Sequence, residues 1–179
     1  IASNTTIGII GTSVSYSSSP ANYRQTFGVG NRTAFLKTYD MGADTLWMDE
    51  FPGYGLGAVM DDSSNIFMYG MNYETGTLTG FARKYNGTGG LEWEVPGDIL
   101  LNAAQSMSVS TDSNIYVLFS GIYICLFGNC VDYQAFGLYN LNQNNGDTVW
   151  SKTIWRDAET NRTHCYDIIT DAYGLSLIH

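Results

Sequence analysis

One phrase constrains the fold of this chain more than any other, because it occurs three times. It reads A-F-L-K-T-Y-D-M-G-A-D-T-L-W from Ala34 to Trp47. It returns as G-F-A-R-K-Y-N-G-T-G-G-L-E-W from Gly80 to Trp93. It returns again as A-F-G-L-Y-N-L-N-Q-N-N-G-D-T-V-W from Ala135 to Trp150. Each copy is a Phe-led strand, a Gly-containing turn and a second strand ending in Trp. The Phe-to-Trp spacing is 12, 12 and 14 residues. Repetition at this scale implies a stack of similar supersecondary units, none of which buries its apolar face alone.

A second phrase interleaves with the first, at Gly57–Met71, Ser106–Ser120 and Asp167–His179. It is a short apolar strand, an Asp/Ser/Asn/Gly turn, then a strand rich in β-branched and aromatic residues. Asp, Asn and Ser suit the turn because their side chains bond the local backbone. Together the phrases give a four-strand unit, here A, B, C and D, repeating after 46 and then 55 residues. The second unit places A near Ala58–Asp61, B at Ile66–Asn72, C at Phe81–Asn86 and D at Leu91–Val95. The third places them at Met107–Ser110, Ile115–Ile124, Phe136–Leu141 and Thr148–Ile154. The first shows B at Ile7–Thr12, C at Ala34–Asp40 and D at Thr45–Asp49, and the last shows A at Tyr166–Thr170 and B at Leu175–His179. No stretch has helical periodicity; apolar residues alternate or run through short segments broken by Gly.

Four antiparallel strands per repeat of this length, closed by a Trp, resemble β-propeller blades. D-S-S-N-I-F-M-Y-G followed by G-F-A-R-K-Y-N-G-T-G-G-L-E-W is similar to seven-bladed-propeller-type and quinoprotein-like repeats. The resemblance covers nearly the whole chain. It implies an all-β, propeller-like array of four-stranded antiparallel blades, incomplete at both ends. The expected division of this single repeat domain is a partial blade at 1–53, blades at 54–98 and 99–157, and a partial blade at 158–179. The resemblance says little about chemistry, since propellers host many functions.

Composition narrows the setting. Of 179 residues, 14% are charged, against the roughly 25% usual in soluble domains, and the net charge is −9. With 8 Lys and Arg in all, nucleic acid is not an expected partner. No apolar run approaches the roughly 18 residues of a helical membrane span. Four Asn-x-Ser/Thr sequons, at Asn4, Asn31, Asn86 and Asn161, fall at expected strand ends or turns, where N-linked glycans are tolerated. Cys125 and Cys130 bracket Leu-Phe-Gly-Asn and are expected to close a local disulfide; Cys165 is left over. These features point to an extracellular glycoprotein, secreted or on a cell surface.

Catalytic machinery is not expected. Trp47, Trp93 and Trp150 could stack on sugars or a quinone, but recurrence at one structural position marks them as packing residues. Asp61, Asp62, Asp112 and Asp171 lie in equivalent turns without the dense spacing of a calcium loop, so turn formation is their expected role. His164 and His179 have no zinc-type spacing and no nucleophile elbow to serve. Gly28, Gly30 and Gly87–Gly90 precede no helix that could cradle phosphate. No cofactor and no metal are expected. The leading functional expectation is a non-enzymatic structural protein, a subunit of a polymer or surface fibre joined head-to-tail by copies of itself. The alternative is a carbohydrate- or protein-binding propeller module of a larger adhesin or receptor.

Overall fold

A computed structural model describes residues 7–14, 32–40, 42–74, 77–97, 103–110, 113–121, 124–126, 129–131, 134–156, 168–170 and 176–178. Among them there are strands and turns and no helix. The strands are β1 (Ile7–Val14), β2 (Arg32–Tyr39), β3 (Thr45–Met60), β4 (Ile66–Glu74), β5 (Thr77–Tyr85), β6 (Leu91–Pro96) and β7 (Ala103–Val109). They continue with β8 (Asn114–Gly121), β9 (Ile124–Leu126), β10 (Asn129–Val131), β11 (Gln134–Asn142), β12 (Thr148–Arg156), β13 (Ile168–Thr170) and β14 (Ser176–Ile178). All pairings are antiparallel.

The largest sheet runs in the order β1-β2-β3-β4-β5-β6. Its long central strand serves two neighbours in turn. Residues up to Pro52 pair with β2, and from Gly53 onward the partner is β4. The expected D strand of the first unit and A strand of the second are thus one strand of 16 residues. Gly53 makes the change of partner possible. Its φ is 143°, and any Cβ there would strike the Met71 carbonyl. The third unit is a separate sheet, β12-β11-β8-β7, and β13 and β14 form a hairpin.

The large sheet divides at Gly53 into a first layer (β1, β2 and β3 up to Pro52) and a second (β3 from Gly53, β4, β5 and β6), the sheet of β7, β8, β11 and β12 is the third, and the layers pack face to face. Ala34, Leu36 and Phe51 of the first layer meet Ile66, Met68, Phe81 and Tyr85 of the second. The opposite face of the second layer, with Phe67, Ala82 and Trp93, meets Ala104, Met107, Ile115, Val117, Phe119 and Leu141 of the third. The far side of the third, through Tyr116, Leu118 and Leu138, is covered by Ile168 of β13. Adjacent residues such as Phe67 and Met68 therefore serve different interfaces. Strands buried on both faces are why the apolar runs looked continuous rather than alternating.

The B strand of the third unit departs from expectation. The repeat predicts it over Ile115–Ile124, but β8 ends at Gly121, and Ile124–Leu126 belongs to a small ribbon with β10. In that ribbon Cys125 and Cys130 stand directly opposite one another.

Candidate functional site

The repeated turns position what the sheets have to offer. In the hairpins joining C to D, a side-chain oxygen closes the loop on its own backbone. Asp40 Oδ1 accepts from the N–H groups of Gly42 and Asp44 at 2.8 and 2.9 Å. Asn86 Oδ1 accepts from those of Thr88 and Gly90 at 3.0 and 2.9 Å, and Asn142 Oδ1 from that of Asn144 at 2.8 Å. One residue in each hairpin then takes a left-handed conformation: Ala43 (φ 65°), Gly89 (φ 88°) and Gly146 (φ 76°). Each stands four positions ahead of its Trp.

The Trp of one layer lies on the left-handed glycine of the next. A Cβ on Gly89 would come within 2.7 Å of Trp47 Cγ and Cδ2, and one on Gly146 within 3.0 Å of Trp93 Cδ2. Neither place admits a side chain without movement. Trp47 also stacks on Tyr85, with centroids 5.6 Å apart. Trp93 packs on Phe67 of its own sheet at 6.0 Å, and its Nε1 donates to the Gln143 carbonyl at 3.0 Å. Gln143 Nε2 in turn donates to Asp61 Oδ2 at 2.6 Å, tying a C–D turn to the A–B turn of the preceding layer. Trp47 Nε1 is buried with no protein acceptor.

Polar groups fill the rest of the first joint. Tyr85 donates its hydroxyl to Asp49 Oδ2 at 2.6 Å. Burial, and then the Asp49 carboxylate, push this phenol well above its ordinary pKa. Arg83 Nε bonds Glu94 Oε2 at 2.8 Å, and Asn72 Nδ2 donates to Glu94 Oε1 at 2.9 Å. The Arg83 guanidinium lies 3.9 Å from the Phe51 ring centroid and 4.7 Å from that of Phe81, so it bridges two layers by cation–π contact. Tyr85, Arg83 and Asn72 are each bonded to a carboxylate here, and Tyr85 and Arg83 tie the first layer to the second.

The three tryptophans share one sequence position but not one environment. Trp93 is 8% exposed, Trp47 is half-buried and Trp150 is 42% exposed. The expectation that all three are core residues holds for Trp93 and fails for Trp150. Its own sheet offers the usual support, Tyr116 at 6.0 Å, but no left-handed glycine covers its other side among the described residues. The signal for the joints was present in the sequence: Gly89 and Gly146 sit at one offset from Trp, and Ala43 replaces glycine there.

Asp61 acts as the turn former expected of it. Its Oδ1 accepts from the N–H groups of Ser63 and Asn65, and its Oδ2 from Asn65 Nδ2 and Gln143 Nε2. Asp62 is exposed in the same turn. Asn86 is half-buried, and Thr88 Oγ1 donates to its Oδ1 at 2.8 Å. All three bonds to Asn86 end on Oδ1, so a glycan on Nδ2 would leave them intact. Asn4, Asn31, Asn161, Asp112, Asp171, Cys165, His164 and His179 lie outside the described residues. The chain matches no protein-family model, and no curated protein matches it.

Proposed function

We propose that this protein is an extracellular, glycosylated structural protein, a subunit of a polymer or surface fibre. Copies join head-to-tail, each adding its propeller-type blades to those of the last. One observation carries the reading. The same Trp-on-hairpin joint occurs twice within the chain, and both halves of a third are exposed on it: Trp150 on one face and the 42–44 turn on another. A contact between two different surfaces of identical copies propagates into a filament, or closes into a ring. The open edges of β6 and β12 add strand surface of the kind that such assemblies use.

The extracellular setting rests on the four sequons and the cysteine pair. The expected N-linked glycosylation sites are Asn4, Asn31, Asn86 and Asn161. A Cys125–Cys130 disulfide is supported by their opposed positions in the β9–β10 ribbon. No catalytic role is proposed. The self-satisfied bonding of Asp61, Glu94 and Tyr85 supports that reading.

Electron microscopy of purified glycosylated protein is the test. Filaments or rings support the reading, and a monodisperse monomer at every soluble concentration overturns it. A second reading, a carbohydrate-binding module, is favoured by the exposed indole of Trp150 beside Tyr116, a platform on which a sugar ring could stack. Monomer that binds a glycan array, and loses binding when Trp150 becomes Ala, would favour it over assembly.

A further inference from the structure

The two joints inside the chain share a D-strand Trp set on a C–D hairpin with a left-handed glycine. In the second joint that Trp is supported by a B-strand aromatic of its own sheet, Phe67 beside Trp93. In the first joint the receiving C strand presents outward residues that are aromatic or cationic. In the second layer those residues are Phe81, Arg83 and Tyr85, all buried against the first layer. The equivalent residues of β2 are Phe35, Lys37 and Tyr39, and each is half-buried. Lys37 Nζ lies 4.9 Å from the Tyr39 ring centroid. The receiving side is therefore repeated on the front of the first layer, with residues of the same kinds. The donating side is repeated on the back of the third, where Trp150 leans on Tyr116 as Trp93 leans on Phe67, beside β13, so a docking copy seats next to that strand.

We infer that Trp150 of one copy docks on the 40–44 hairpin of a second copy, and that Ala43 makes this the weak, reversible joint of the series. The inference rests on the head-to-tail reading. At the internal joints the indole lies against bare glycine backbone, where a methyl would intrude to 2.7 or 3.0 Å. Ala43 holds the same left-handed position with a methyl in place. The Trp150 ring must stand off by roughly 0.5–1 Å, which forfeits about a quarter to a half of each dispersion contact. Internal joints are thereby tight, and the joint between copies is tunable.

The neighbouring positions also change sense. Asp49, two residues beyond Trp47, accepts the Tyr85 hydroxyl. The residue two beyond Trp150 is the exposed Lys152, and it would face Tyr39, whose phenol oxygen accepts from an ammonium. The contact thus sets Lys152 against a hairpin that carries Asp40 and Asp44, two carboxylates that outweigh the one cation, Lys37, on the receiving strand.

Sedimentation equilibrium on the wild type, W150A, A43G and A43V tests the inference. Trp150 is exposed in the single chain, so the circular dichroism melt of W150A should stay close to wild type; Ala43 is exposed but left-handed, so A43G should melt higher and A43V lower, and association is compared at a temperature where all four are folded. W150A should weaken self-association at least about 30-fold, the behaviour of a central anchor. A43G should tighten it by about 3- to 10-fold, and A43V should weaken it. Trp fluorescence of the wild type should shift to the blue on assembly, and that of W150A should not. Assembly unaffected by W150A and A43G overturns this joint and leaves the polymer reading standing. A wild type that stays monomeric at its highest soluble concentration overturns both.

Discussion

At the scale of single residues, space beside the backbone decides more than chemical type. Gly89 combines a left-handed backbone with an indole in contact where a Cβ would be. Gly89→Ala is expected to cost about 2–4 kcal/mol, from left-handed strain plus overpacking. Gly87→Ala in the same hairpin should cost under about 1 kcal/mol, because its Cβ would meet Ser64 at an ordinary 3.5 Å and its φ is not positive. Urea denaturation of the two variants separates them. Tyr85 offers a pH test. Its folded-state pKa is raised, so its contribution is fully present below about pH 10, where both states hold the proton. Above that the unfolded chain loses its proton first, and stability falls as pH climbs toward the folded value. Tyr85→Phe should cost about 1 kcal/mol at pH 7 through the lost Asp49 bond. The gap between variant and wild type should narrow above pH 10, and equal gaps at pH 7 and 11 would refute the assignment.

At the scale of elements, the hairpins are local and the joints are not. Each C–D turn is written in its own residues: an Asx side chain, then a position that tolerates positive φ, then the second strand. That is why the hairpins of Asp40, Asn86 and Asn142 could be read from the chain. The β9–β10 ribbon is equally local, and it brings Cys125 opposite Cys130. Peptide mapping of unreduced protein should recover the two cysteines linked. Reducing that link should lower stability by about 2 kcal/mol, the value for so short a loop. Two free thiols in secreted material would refute the pairing. The merger of two expected strands into β3 was harder to see. Pro52-Gly53 is ordinarily a turn signal, and the expected blade boundary falls there, yet the chain keeps its extended form while only its partner changes at Gly53.

At the scale of the whole molecule, equivalent residues have unequal worth, because worth depends on what lies against them. Trp93 sits between two sheets with its Nε1 bonded, while Trp150 has a sheet on one side. Trp93→Ala should cost about 3–5 kcal/mol, a typical large-to-small core loss, and Trp150→Ala under about 1 kcal/mol in the dilute chain. Trp47→Ala should fall between. Thermal denaturation at low concentration measures the series, and equal losses at all three would refute the graded stack. The same grading leaves the Trp150 indole exposed.

The sequence alone determined the all-β class, most strand positions, the turn chemistry and the order of the units. These follow from local rules: period-two burial, Asx turns, and glycine where φ must be positive. It also placed a Trp at one point in each of the three units that have a D strand. Only the tertiary structure decided which Trp is buried, that Gly89 and Gly146 are the seats of Trp47 and Trp93, and that Arg83 bridges layers through Phe51. Those facts depend on which sheet lies against which. Residues 32 to 53 positions apart in the chain meet there, and no local propensity encodes such a contact. The repeated Phe-to-Trp phrase sets a ruler along the chain; the stacking of its copies turns one indole, Trp150, outward.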